Sequence, residues 1–251
     1  GVTITVSNGA TLKIGGTNSF PTNYTTATLG ATSTVEYNGT AQSVASKTYG
    51  HLTLSNGNTK TAAAAVTVAG DLTIASATTF AAGSYTHVVQ GNWSNSGTFT
   101  EGTSTIQLTG SSAASITGAT TFNVLEVNKG ASTTTVTLSN NVTTPTLTMT
   151  QGKISTGANS VLVTSSRTGN GLVIGTITRT HTFNASTSYA FEGPENTLTF
   201  NSGGTLPTSV TVTTTLSSPG ANDYMDPITR YYTISQTGGT GFTYTLRLHY
   251  E

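Results

Sequence analysis

Single apolar residues alternate with Thr or Ser along nearly the whole chain. The pattern appears at Val2-Thr3-Ile4-Thr5-Val6, Leu52-Thr53-Leu54, Val66-Thr67-Val68 and Leu72-Thr73-Ile74. It returns at Val136-Thr137-Leu138, Leu147-Thr148-Met149 and Val210-Thr211-Val212. A period of two sends alternate side chains to opposite faces of a strand. β-Branched Thr suits either face of a pleated surface. No segment carries an apolar stripe at helical spacing, so the pattern predicts an all-β chain.

A longer period lies over the short one. Residues 32–54 and 103–127 read as two copies of one unit, pairing Val35 with Ile106, Val44 with Ile116, Tyr49 with Phe122 and Leu52 with Leu125. Apolar strand centres recur about every 19 residues, separated by Gly, Asn and Ser, the residues of turns. An all-β sandwich also has short strands, with turns every 8–12 residues or so. The duplication, the near-constant spacing and the lack of matched hairpin pairs favour a β-solenoid. Such a solenoid would have roughly nine parallel coils stacked over about 43 Å. After Arg179 aromatics and prolines become frequent, and longer strands are predicted at 209–216, 230–235 and 242–250. The expected organisation is a solenoid over 1–180. A small β-sandwich-like or capping module over 181–251 follows, because a solenoid end exposes unpaired backbone.

Composition narrows the partners. The 251 residues carry nine basic and nine acidic side chains, a net charge of +0 and 7% charged residues, so no field draws in nucleic acid or an anionic membrane. Low charge together with many β-branched residues argues for order over disorder. The absence of cysteine removes disulfides, thiolate metal sites and cysteine nucleophiles. The longest apolar run, Ala62 to Val66, is far short of a membrane span. A start at Gly1 without an initiator Met reads as a processed or excised part of a longer product.

Several runs resemble secreted surface repeat proteins of environmental bacteria. They are Val35-Glu36-Tyr37-Asn38-Gly39, Tyr49-Gly50-His51-Leu52-Thr53-Leu54, Val68-Ala69-Gly70-Asp71-Leu72-Thr73-Ile74, Gln90-Gly91-Asn92-Trp93-Ser94-Asn95-Ser96-Gly97-Thr98-Phe99 and Gly175-Thr176-Ile177-Thr178-Arg179. The resemblance spans about Val35 to Glu251 and implies adhesin-like β-solenoid regions with an extracellular or cell-surface structural role. It implies no catalytic residues and no cofactor.

Candidate chemistry is sparse. Glycoside chemistry needs paired carboxylates, and up to residue 180 the chain offers only Glu36, Asp71, Glu101 and Glu126. Glu36 and Glu126 sit between apolar neighbours and are expected to point outward; the repeat copies carry Gln107 and Thr53 in their places. His51, His87, His181 and His249 lack a sequence neighbour at ligand spacing. Asp223 and Asp226 lack the Gly and third carboxylate of a calcium loop and read as a turn. Thr-x-Thr pairs at 146–150 and 176–180 do not recur on preceding coils, which argues against an ordered hydroxyl plane for ice. Trp93, flanked by Asn92 and Asn95, is either a core side chain or a platform for a sugar ring. The strand-like ends, with Val2, Ile4 and Val6 at one and Tyr244, Leu246 and Leu248 at the other, are candidates for pairing with identical subunits end to end. The expected protein is a non-enzymatic extracellular fibre subunit or adhesin segment. The alternative is a carbohydrate-binding module of a secreted adhesin that meets surface glycans.

Overall fold

A computed structural model describes residues 1–216 and 230–249. Among the described residues every regular element is a strand. The chain winds as a succession of short strands into a parallel β-solenoid of about nine turns, each about 20 residues long. Each complete coil presents three faces.

Face one shows how sequence becomes stacking. Leu12, Val35, Leu52, Leu72, Trp93, Ile116 and Leu138 lie directly one above another on successive parallel strands. Offsets of 20 and 21 residues separate Leu52 from Leu72 and Leu72 from Trp93. Their outward neighbours form a second ladder of Lys13, Glu36, Thr53, Thr73, Ser94 and Thr117. The alternation is therefore an inside/outside code that repeats coil by coil. Face three repeats it: Ile106, Leu125 and Leu147 are consecutive buried rungs, and Gln107, Glu126 and Thr148 stack outside them. Fully burying one such Leu contributes about 1.5–3 kcal/mol.

The duplicated units do not sit on the same face. Thr34–Tyr37 lies beneath His51–Leu54 on face one, whereas its copy Thr105–Leu108 lies beneath Val124–Asn128 on face three. An offset of 71 residues from Val35 to Ile106 is three whole coils plus two further faces. The pairing inside each copy is kept while its position around the axis changes.

One corner is lined by glycine because nothing larger fits. Gly50, Gly70 and Gly91 stack, with N–H donated from Gly70 to Gly50 at 2.6 Å and from Gly91 to Gly70 at 3.0 Å. A Cβ on Gly91 would lie 2.7 Å from the Gly70 carbonyl. Coils can approach this closely only without a side chain there.

The last solenoid strand, Leu172–Thr180, is covered by an antiparallel partner, Ser209–Leu216, which pairs in turn with Arg230–Thr237. A second antiparallel sheet joins Ser188–Ala190, Thr197–Phe200 and Tyr244–Arg247. Phe183, Tyr189, Phe200 and Phe242 pack edge to face beneath it. The expected boundary at 180/181 thus falls where parallel stacking gives way to antiparallel pairing. Apolar residues on both sides of it belong to one continuous core. The strand expected at 242–250 is shorter, Tyr244–Arg247, and the Asp223/Asp226 turn lies outside the described residues.

Thermal melts test the inside/outside assignment. Leu125→Asp places an unpaired carboxylate among buried rungs and is expected to cost more than about 4 kcal/mol, enough to prevent folding. Glu126→Ala removes a partly exposed side chain and is expected to cost no more than about 1 kcal/mol. Two equally mild substitutions would contradict the assignment.

Candidate functional site

Trp93 is a core side chain. Its ring has 0% exposure and stands edge-on to Phe99 at 4.8 Å and Phe122 at 5.2 Å. Its Nε1–H donates to Thr120 Oγ1 at 3.3 Å, so even its polar edge is occupied within the fold. A sugar cannot stack on a ring that other aromatic rings already enclose. The expectation of a carbohydrate platform at Trp93 is corrected: the alternation that places Leu72 inside places Trp93 inside as the next rung.

The acidic residues are brought to partners, but those partners belong to surface ladders. Lys13 Nζ lies 3.1 Å from Glu36 Oε2, and Ser55 Oγ donates to Glu36 Oε1 at 2.7 Å. The Ser55 bond holds the Glu36 carboxyl below its usual range, with Lys13 helping and partial burial opposing. Gln107 Nε2 donates to Glu126 Oε2 at 2.7 Å. That contact joins the positions that the repeat equates with Glu36 and Thr53.

Stacking also joins His51 to Asp71, which the sequence separates by a full coil. The His51 Nδ1 to Asp71 Oδ2 distance is 3.5 Å. However, Nδ1 accepts the Asp71 backbone N–H at 2.9 Å, which leaves the ring proton on Nε2. A catalytic Asp–His pair needs Nδ1–H donated to the carboxylate. Here that nitrogen is an acceptor, and the pair is a coil-to-coil clasp. Among the described residues no cluster of three or more His, Asp or Glu side chains is placed to hold a metal.

Three long polar side chains are unexpectedly inside. Lys60 is fully buried on face two, with its ammonium donating to the carbonyls of Gly39, Thr40 and Gly57 at 2.9, 2.8 and 2.7 Å. Lys129 does the same toward Gln90 at 3.0 Å and Thr109. Gln42, the rung below Lys60, donates to Ile14 O and Asn18 O. Burial lowers both lysine pKa values. These groups tie neighbouring coils together by donating to carbonyls at and beside their turns. Local alternation hinted at this, since Lys60 and Ala62 share an inward parity.

The two ends differ. Thr3–Val6 pairs only with Thr26–Leu29, and Thr11–Ile14 only with Thr34–Tyr37, so each has one edge without a partner among the described residues. A groove of about 460 Å³ opens beside that edge, between Leu12–Gly15 and Asn18–Asn23. Val2 is 63% exposed, Ile4 is half-buried, and Val6 is buried at 6% against its own coil. Val6 is therefore unavailable to a neighbouring chain, which corrects its place among the assembly candidates. At the other end, among the described residues, Tyr244–Arg247 pairs with Thr197–Phe200 along one edge only; Tyr244 and Leu246 are exposed, and Leu248 is half-buried. Among the described residues no helix is long and apolar enough to cross a membrane.

No family model, curated protein or solved structure matches this chain.

His87 gives the fold a pH dependence. Its imidazole is fully buried beside Phe80 and Tyr85, accepting Val66 N–H at Nδ1 and facing Ala82 O from Nε2 at 2.9 Å. Burial pushes its pKa below the ordinary 6.5, with the Ala82 bond opposing. The folded chain thus prefers the neutral ring, and its contribution is fully present above about pH 6.5. It is lost as the unfolded state takes up the proton and pH falls toward the lower folded value. Melting temperature should fall as pH drops below about 6.5. His181, also lowered by burial, adds to the slope, so the check is a flatter profile in His87→Gln. An unchanged profile would contradict the assignment.

Proposed function

We propose that this chain is a structural rod segment of an extracellular surface protein, a fibre subunit or adhesin segment that extends by stacking at strand edges. One observation carries the reading: an unbroken inward ladder runs from Leu12 to Leu138 on face one, its first strand has one edge without a partner among the described residues, and at the far end of the solenoid an antiparallel hairpin covers the face-two strand Thr176–Thr180. Stacked coils grow in one dimension, and each new coil needs only the edge of the previous one. An unpaired edge accepts a further strand, and a heterologous contact that does not close makes a filament. The outer ladders of neutral hydroxyls, with few charges, suit a passive spacer. The surface setting follows from the resemblance of the repeated runs to secreted bacterial repeat proteins.

The accepting edge can be blocked without touching the core. Val6 O receives the Gly30 N–H, so alternation directs the Thr5 N–H toward the open edge. Thr5→Pro removes that donor at a position where an edge strand tolerates proline. In electron micrographs and sedimentation at high concentration, the native chain should form end-to-end polymers. Thr5→Pro should remain folded and monomeric. A native chain that stays strictly monomeric, or a variant that polymerises normally, would overturn assembly through this edge.

A further inference from the structure

Two inward ladders carry an arginine near the C-terminal end of the solenoid. On face three the rungs run Leu125, Leu147, Arg167, and on face two Thr144, Val163, Arg179. Both arginines are only 5% exposed. Arg167 donates to the carbonyls of Gly169, Gly171 and Glu192. Arg179 donates to those of Ala190 at 3.1 Å and Ser165 at 2.9 Å, and packs over Tyr189 at 5.0 Å. All five acceptors are neutral. Among the described residues neither Nε–H has an acceptor, and no carboxylate lies within ion-pair distance of either guanidinium. Glu192 turns its carboxylate the other way, toward Asn196 and Tyr232 at 2.7 Å and Arg230 at 3.3 Å.

Lys60 and Lys129 show that carbonyls alone can meet a single buried cation, but here two guanidinium groups, each with an Nε–H unmet among the described residues, line the same cavity. Two buried cations without a counter-ion are costly, and an anion between them removes that cost. Burial already pushes both guanidinium pKa values down to about 10; at Arg167 the Arg179 charge adds to the effect and the Glu192 carboxylate opposes it. Both side chains line a single cavity of about 360 Å³. Its rim is exposed Thr168, Thr187, Ser188 and Pro194, and Tyr189 joins the arginines in its buried part. That volume is at the small end for ligand sites, with room for one sugar unit. Planar guanidinium groups match the geometry of a carboxylate.

We propose that this cavity is an oxyanion site in which Arg167 and Arg179 hold the carboxylate of an acidic sugar, with the hydroxyl rim facing its ring. The site stands apart from the rod reading, since a rod needs no ligand and a ligand site needs no polymer. Calorimetry on the full 251-residue chain at low salt tests it with glucuronate, glucose and inorganic sulfate as probes. Glucuronate should bind saturably and weaken with added salt, sulfate should compete, and glucose should not bind. Arg179→Gln, which keeps hydrogen-bonding capacity and removes charge, should weaken glucuronate about tenfold or more. Amide NMR shifts in the native chain provide a reading independent of the variant's folding, and should centre on Thr168, Gly169, Thr187 and Ser188. Absent glucuronate binding, equal binding of glucose, failure of excess sulfate to compete, unchanged affinity in a folded Arg179→Gln, or shifts centred elsewhere would each overturn the proposal.

Discussion

Everything in this molecule depends on one strand lying in register on the strand one coil earlier. Each coil is too short to bury anything alone. Its inward Leu, Val or Ile is shielded by the equivalent residues above and below, at the roughly 4.8 Å spacing of paired strands, together with the inward residues of the other faces. Stacking also supplies the backbone hydrogen bonds, because a strand in the middle of a face is paired on both sides. Leu52, between Val35 and Leu72, is held in this way. Register and core are the same interaction, and a slip of one residue would turn Thr53 inward and Leu52 outward.

Turns are where stacking alone fails. Strand pairing ends at the corners, leaving carbonyls that still need donors. Glycines close one corner by letting backbones touch, as at Gly50, Gly70 and Gly91. At others the long arms of Gln42, Lys60 and Lys129 reach carbonyls on neighbouring coils. The final coils show the same device in Arg167 and Arg179, where parallel stacking gives way to the antiparallel C-terminal strands. There it leaves an excess of positive charge beside a cavity.

How much of this the sequence discloses depends on whether the information is local. Period two correctly sorts Leu125 from Glu126 and identifies Ser209–Leu216 as a strand, because both follow from adjacent residues. Coil length was also legible from the spacing of apolar centres. The partner of a polar group was not, because it lies about twenty residues away on another coil. His51 with Asp71 and Lys60 with Gly39 are of this kind. Arg179 could have been found, since it continues the inward parity of Ile177, but charge argues for the surface unless its carbonyl acceptors are known. Trp93 was ambiguous for a related reason: its flanking Asn residues suggest a surface, while its place as the rung after Leu72 decides for the core.

The register itself can be measured directly because the chain has no cysteine of its own. Thr53 and Thr73 are outward partners on successive coils. Neighbouring strands lie within the Cα separation of about 4.4–6.8 Å that a disulfide requires. Under mild oxidation Thr53→Cys with Thr73→Cys should close an intramolecular disulfide and retain or raise the melting temperature. Thr53→Cys with Ala75→Cys, two residues out of register, should remain reduced. Closure of the second pair in preference to the first would contradict the stacked register on which the fold, the ladders and both ends are argued.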